Sequence, residues 1–348
     1  MSSDRLFQEI VEQPRALQDL LDQGWERVGA ATTAIEEFEP EWALMAGRGT
    51  SDNAARYAQY LFGIRNGISV GLAAPSIISL YGARPRMRRA LVCGISQSGQ
   101  SPDIVAVLGE ARAQGGMTLA VTNEVDSLLA NACQFVVPVH AGRELSVAAT
   151  KTYTNELLAL AMLSAKLEGS SAAIAELNCV PEWAEMAISQ FGGIANQLIE
   201  MAVVAPKVVV VGRGFNYCTA SEIALKIQET CGVMAQSYSA ADLLHGSVAM
   251  IDAQFLAVLL APRGVASKDF AQLLTLLHER RSRTVVISDD AALLARGELG
   301  LRLPVGIPEW LSPLVSVLPG QLLAHALSLA LGRDPNSPVG LSKVTRTL

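Results

Sequence analysis

Charged and aromatic side chains are both scarce in this chain: of its 348 residues only 17% are charged and 5% aromatic. Acidic residues outnumber Lys and Arg by 33 to 27, a net charge of -6, which excludes a broad nucleic-acid-binding face. The one arginine cluster (Arg84, Arg86, Arg88, Arg89) is short and precedes an apolar run, as a solvated linker does. Five cysteines, Cys93, Cys133, Cys179, Cys218 and Cys231, form no CxxC pair, which argues against a disulfide scaffold and for a reducing compartment. No unbroken apolar run approaches about 18 residues, and no basic-then-apolar opening marks a signal peptide. A soluble, cytoplasmic protein without membrane or nucleic-acid partners is therefore expected. No His/Cys/Asp cluster has metal-ligand spacing, so no metal or other cofactor is expected either.

What the chain does have is hydrophobic residues, half of the total, rich in Ala, Leu and Val. That suits branched strands layered against alanine-rich helices, at a length sufficient for two domains. Leu91-Val92-Cys93-Gly94-Ile95-Ser96 reads as a buried parallel strand, broken at Gln97-Ser98-Gly99-Gln100-Ser101. Pro102 and Asp103 then open a helix. Outward amides, a helix dipole and serine hydroxyls make such a turn a compact anion site, suited to one phosphate monoester. It has no lysine, so it is not a nucleotide P-loop. From this stretch alone, an ordinary strand-to-helix turn reads equally well.

Residues 4–33 read as helical, with Pro14 starting a second segment. Strands are expected over Glu41–Ala46, Val70–Ala73, Ala90–Ile95, Thr118–Thr122 and Phe135–Val139, and helices over Ala54–Leu61 and Ile104–Gln114. The pattern then repeats. Gly47-Arg48-Gly49 recurs as Gly212-Arg213-Gly214, an offset of 212 − 47 = 165 residues. At that offset Ala90–Ser96 falls on Phe255–Ala261, and at 166 Thr118–Asn123 falls on Thr284–Asp289. Three strands in one register identify two tandem, doubly wound parallel-sheet α/β domains related by internal duplication. The second copy has Ala261-Pro262-Arg263-Gly264 where the first has Ser96-Gln97-Ser98-Gly99. A proline there removes an amide donor and two serines are gone, so one phosphate site per chain is expected.

Glu222, Lys226 and Glu229 fall at i, i+4 and i+7, on one face of a helix. Spacing alone favours a solvated face with one ion pair. Two features shift the balance: the helix follows the second Gly-rich turn, where open α/β sheets bind ligands, and Ile223, Ala224, Leu225 and Ile227 surround it with apolar bulk. A carboxylate so placed can move a proton between adjacent carbons of a sugar. Among the histidines, His278 reads as helix surface, His325 as core, and His140 ends a strand. His245 lies in a probable turn, where it could move a proton near neutral pH.

The combination of Gly49-Thr50-Ser51, Ser96-Gln97-Ser98-Gly99 and Gly142-Arg143-Glu144-Leu145 through Thr150-Lys151 resembles the sugar isomerase (SIS) domain family. Further matches are Gly212 through Glu229, Leu243–Asp252, Leu341-Ser342-Lys343, and the opening Gln8-Glu9-Ile10-Val11-Glu12-Gln13-Pro14. The resemblance is greatest to the isomerase half of glucosamine-6-phosphate synthase and to stand-alone glucosamine-6-phosphate deaminases of the SIS type. It implies flavodoxin-like SIS domains: a helical segment over 1–35, a phosphate-binding domain over 36–170, a helical bridge over 171–200, a second domain over 201–335, and a tail over the active site at 336–348. The synthase's glutaminase domain has no counterpart in the sequence, so conversion of glucosamine 6-phosphate and water to fructose 6-phosphate and ammonia, without glutamine, is expected. A deglycase or isomerase of galactosamine or fructosamine 6-phosphate, or a phosphosugar-binding regulator, is the alternative.

The resemblance also assigns roles. Glu229 is the catalytic base, with Lys226 and Glu222 orienting it or contacting the open-chain sugar. His245 opens the pyranose ring, acting in the neighbouring subunit of a homodimer. Lys343 contacts sugar oxygens or forms a Schiff base. Ser96, Gln97, Ser98, Gly99 and Ser101 hold phosphate; Gly49, Thr50, Ser51, Val147 and Ala149 lie beside the sugar, and Glu144 and Lys151 brace the loop between them. Ala149 stands where the synthase has a serine, so one sugar contact is lost. A dinucleotide-dependent oxidoreductase is disfavoured because neither Gly-x-Gly has the third glycine or a following acidic ribose ligand.

Overall fold

The computed structural model describes residues 4–193, 195–203 and 205–343. Two five-stranded sheets carry the chain. The first comprises β1 (Trp42–Ala46), β2 (Val70–Leu72), β3 (Ala90–Ser96), β4 (Met117–Thr122) and β5 (Phe135–Pro138) in the order β2-β1-β3-β4-β5. The second comprises β6 (Lys207–Gly212), β7 (Met234–Ser239), β8 (Phe255–Leu260), β9 (Arg283–Ser288) and β10 (Leu299–Arg302) in the order β7-β6-β8-β9-β10. Every pairing is parallel. The two orders are the same topology, so all five strands repeat. Expected strands lie within one or two residues of the observed ones, while β7 and β10 were not expected. Both are edge strands, half-exposed or short, and lack the apolar run that marks a central parallel strand.

By contact the residues form two compact units. Among the described residues, one contains the first sheet, over Arg15–Glu144, with Lys151–Cys179 and Ser342–Lys343. The other contains the second sheet, within Val180–Leu341, with Asp4–Pro14 and Leu145–Thr150. In the first, β3 and β4 are buried throughout and covered by Ile104, Val107, Leu108 and Ala111 of the helix Pro102–Ala113. The helix Lys151–Glu168 is buried from Lys151 to Ala165, with polar Lys151, Thr152, Thr154, Asn155 and Glu156 in its first turns and an apolar run from Leu157 onward. In the second, the helix Ser312–Ala330 plays that part. By length and composition Glu309–Ala330 could cross a membrane, although Ser, Pro, Gln and His interrupt it; 83% of that window is buried inside the protein. Gly320 within it lies against the helix Tyr217–Cys231, where a Cβ would come 2.2 Å from Ile223. Position 320 therefore needs glycine for close approach rather than for its backbone angles.

The cysteines are all free, and four of the five are buried. Burial pushes the Cys133 thiol up to about 12, opposed by Arg112, and Cys231 to about 11, opposed by Thr230 and Arg333. Cys93 is also raised, by burial and then by Cys133 and Glu156. Thiolates are the reactive form. A thiol reagent applied to the folded protein at neutral pH is expected to modify Cys179 alone, and all five cysteines after denaturation; mass spectrometry of the labelled peptides checks this.

Candidate active site

In the first-sheet unit, β1 ends at a turn whose shape requires its glycines. A Cβ on Gly47 would lie 2.6 Å from the Ser51 carbonyl oxygen, and Gly49 has φ 54°. The same turn follows β6: a Cβ on Gly212 would lie 2.0 Å from the Asn216 carbonyl, and Gly214 has φ 57°. The middle arginine is used alike in both copies. Arg48 Nε donates to Asp103 Oδ2 at 2.8 Å, and Arg213 Nε pairs with Asp269 Oδ2 at 3.2 Å. The offsets of 165 and 166 residues match the strand register. Each arginine ties its Gly-rich turn to the start of the helix that follows the neighbouring central strand, β3 in the first copy and β8 in the second. This clamp is not marked by any local motif; only superposing the two copies reveals it.

The β3 turn is braced from behind. The Gln97 carbonyl accepts from the Asn123 amide at 3.3 Å and from Thr122 Oγ1 at 3.4 Å, and the Gly99 carbonyl accepts from the Leu129 amide at 3.0 Å. Gly99 has φ 60°, and a Cβ there would strike Ser127 Oγ at 2.1 Å. Ser96 Oγ accepts from the Gly99 amide and Ser98 Oγ from the Gln100 amide. Ser101, at the N-terminus of the helix Pro102–Ala113, makes no side-chain cap. With the Gln97 and Gly99 carbonyls held from the β4 side, the turn, a candidate anion cradle, keeps its serine hydroxyls as donors, while Pro102 has no amide proton and the Ile104 amide is taken by Asp103 Oδ1 at 2.9 Å. Asn123 extends the brace: its Oδ1 accepts from the Ala141 amide at 3.0 Å and its Nδ2 donates to the Gly142 carbonyl at 2.8 Å. One asparagine thus ties the cradle to the start of the Gly142–Lys151 loop, and this role went unread because its partners lie 18 and 19 residues away.

Other expected site residues of this unit are placed as follows. Ser51 is buried and donates to Glu156 Oε1 at 2.9 Å. Thr50 opens the helix Thr50–Arg65. The Glu144 carboxylate, fully buried, accepts from the Thr152 amide and hydroxyl and from Lys343 Nζ at 2.9 Å. Lys151 is buried at the first turn of its helix. The tail beyond Lys343 lies outside the described residues. His140 has φ 49°, and burial pushes its imidazole below the ordinary value, with Asp19 opposing.

In the second-sheet unit, the helix Tyr217–Cys231 brings three expected residues together. Lys226 Nζ lies 3.3 Å from Glu222 Oε1 and 2.5 Å from Glu229 Oε2. The side chains of Glu222 and Lys226 are 0% and 2% exposed, while that of Glu229 is 22% exposed. Burial would lower the Lys226 ammonium, but the charges of Glu222 and Glu229 and their hydrogen bonds outweigh it and hold its pKa above the usual lysine value. Glu229 alone of the three opens on a cavity of about 550 Å³, also walled by Leu225, Gln228, Arg333, Ser337 and Leu341. A carboxylate with one face on a fixed ammonium and the other on a cavity can accept and return a proton. His245 is exposed at the end of the helix Ala240–Leu244, and among the described residues its side chain makes no hydrogen bond or ion pair. Val147 and Ala149 are half-buried in Leu145–Thr150.

The second copy of the cradle is filled from within. The amides of Val265 and Ala266 donate to the Glu309 carboxylate at 2.9 and 3.0 Å, and the Arg263 amide donates to Asp289 Oδ1 at 2.7 Å. Besides losing its serines, this turn already holds an internal anion. Among the described residues no cluster of His, Cys, Asp and Glu is arranged to hold a metal ion.

The model of the SIS domain family matches this chain twice, over residues 41–166 and 203–331. The chain belongs to the SIS domain family. Its two SIS domains coincide with the two sheets. A glutamine–fructose-6-phosphate aminotransferase (isomerizing) of Pyrococcus horikoshii is 32% identical over 347 residues, 97% of this chain. The SIS chain spans 57% of the length of that relative. A Silicibacter pomeroyi protein proposed to be a phosphosugar isomerase shares 31% identity with a TM-score of 0.82, covering 95% of this chain and 99% of its own. The C-terminal domain of glucosamine-fructose-6-phosphate aminotransferase from Francisella tularensis shares 25% identity with a TM-score of 0.86, covering 96% of this chain and 98% of that domain.

Proposed function

We propose that this SIS protein interconverts aldose and ketose forms of a hexose 6-phosphate carrying nitrogen, taking glucosamine 6-phosphate and water to fructose 6-phosphate and ammonia. The observation that carries the reading is the Glu222–Lys226–Glu229 array, in which Glu229 lines a cavity of about 550 Å³. The similarity to isomerizing glutamine–fructose-6-phosphate aminotransferases, whose name joins fructose 6-phosphate to isomerisation, supports it.

In this reading Ser96, Gln97, Ser98, Gly99 and Ser101 hold the phosphate, with Gly49, Thr50, Ser51, Val147 and Ala149 beside the sugar. Glu229 takes the C2 proton of the open-chain aldose and returns it to C1. The enolamine formed becomes a C2 imine, which water hydrolyses to the ketone and ammonia, so atoms balance without a second donor. Lys226 orients Glu229 through the ion pair between them. Lys343, held by Glu144 at 2.9 Å, contacts sugar oxygens or forms a Schiff base. His245 moves the proton that opens the ring and acts in the partner subunit of a homodimer.

Ammonia and fructose 6-phosphate are measured together after adding glucosamine 6-phosphate without glutamine. Equal amounts of both establish the deaminase; neither product, with tight binding of glucitol 6-phosphate, would sink it in favour of a regulator. The loss of a hydroxyl at Ala149 favours a second reading, a deglycase or isomerase of galactosamine or fructosamine 6-phosphate, and those substrates are the next arm. Calorimetry with inorganic phosphate is expected to find one site per chain, since Glu309 fills the other cradle; two equivalent sites would contradict that assignment. Mixing inactive Glu229→Gln and His245→Ala proteins is expected to restore part of the activity, because mixed dimers regain one intact site. No recovery after subunit exchange would place both groups in one chain.

A further inference from the structure

The motif Gln8-Glu9-Ile10-Val11-Glu12-Gln13-Pro14 has no part in the chemistry above, yet it contains one of the most buried carboxylates of its unit. Glu9, 5% exposed, lies on the short helix Arg5–Val11. Its Oε1 accepts from the Leu145 amide at 2.5 Å and its Oε2 from the Ser146 amide at 3.1 Å. Two consecutive amides on one buried carboxylate are charge-assisted bonds, the strong kind, and together they fix the backbone between them.

The helix that presents Glu9 is itself held at several points. Asp4 caps it by accepting from the Phe7 amide, and its other oxygen lies 2.7 Å from His325 Nε2. The Leu6 amide donates to Asn336 Oδ1 at 3.0 Å, and Gln13 Nε2 donates to Gln321 Oε1 at 2.7 Å. Glu9 is thus a fixed post rather than a mobile side chain.

Downstream of the anchored amides, burial alternates. Ser146, Ala148 and Thr150 are buried, whereas Leu145 is exposed and Val147 and Ala149 are half-exposed. A slip of one residue would exchange the two sets, turning Ala148 outward and Val147 in. We infer that Glu9 is a positioning residue, which sets the register of Leu145–Thr150 so that Val147 and Ala149 face the substrate. This rests on the reading of those two residues as sugar contacts. Glu9 touches no reacting atom and acts only through the loop.

The test uses Glu9→Gln, Glu9→Asp and, as a control, Gln13→Ala, which removes the bond from Gln13 Nε2 to the Ile10 carbonyl of the Glu9 helix but keeps the carboxylate. Glutamine can accept only one of the two amides, because its own NH2 would face the other. Affinities for inorganic phosphate and for glucitol 6-phosphate are measured by calorimetry, with kcat and KM for the substrate. Glu9→Gln is expected to raise KM and the glucitol 6-phosphate Kd about tenfold, with kcat and phosphate affinity within about threefold of wild type. Glu9→Asp should move the same quantities less, and Gln13→Ala should leave them alone. Unchanged phosphosugar affinity in a folded Glu9→Gln protein would overturn the inference. So would an equal loss of phosphate affinity, or the same effect from Gln13→Ala. A wild-type protein that binds phosphate but gains nothing from the sugar would instead overturn the reading of Val147 and Ala149, and the inference with it.

Discussion

Glu229→Gln is expected to lower kcat about 10²–10⁴-fold while changing the Kd of glucitol 6-phosphate by no more than a few-fold. Glutamine preserves the volume and can still accept a hydrogen bond from Lys226, so the helix face stays filled. What it lacks is a basic lone pair to receive the C2 proton. In the proposed function the phosphate is held by the turn after β3, so its binding owes nothing to this carboxylate. Exchange of the C2 hydrogen with solvent, followed by NMR, should disappear together with turnover. A variant that bound substrate poorly but converted each bound molecule at the wild-type rate would show that Glu229 is a binding group and that another base does the chemistry.

Lys226→Met is expected to cost about 3–5 kcal/mol of stability, the penalty for removing one partner of a buried ion pair. Glu222 has no exposed surface, and without the ammonium 3.3 Å away it must either stay charged in an apolar setting or take up a proton. For a domain of this size the loss corresponds to a melting temperature about 6–20 °C lower. The sign of the pH dependence follows from the raised lysine pKa. The ammonium stabilises the fold fully below the unfolded lysine value of about 10.4, and that contribution fades as pH rises through the higher folded value. Chemical denaturation from pH 8 upward should therefore show the wild type losing an advantage over Lys226→Met in alkali. A variant as stable as wild type at pH 8 would mean that water or a neighbouring group already compensates Glu222.

The asymmetry of the repeats was only half visible before the structure. Pro262 and the missing serines announce that the second cradle has changed. The Glu309 carboxylate that fills it comes from 43 and 44 residues farther along, with no pattern to announce it. The Arg48–Asp103 and Arg213–Asp269 clamps were equally hidden, although the two Gly-Arg-Gly turns were in plain sight. A turn is written in a few adjacent residues, and the partner that braces it is not.

The same division runs through the whole protein. The sequence by itself determined the duplication, the central strands and the cradle turn, because buried parallel strands are continuous apolar runs and tight turns need glycine at fixed positions. It also placed Glu222, Lys226 and Glu229 on one face, since helical spacing is a local property. Only the tertiary structure decided that Glu222 and Lys226 are buried while Glu229 lines a cavity, that Glu144 holds Lys343 from 199 residues away, and that Glu9 holds Ser146 from 137. Those decisions depend on which polar groups burial leaves in need of partners, and such pairings have no period along the chain.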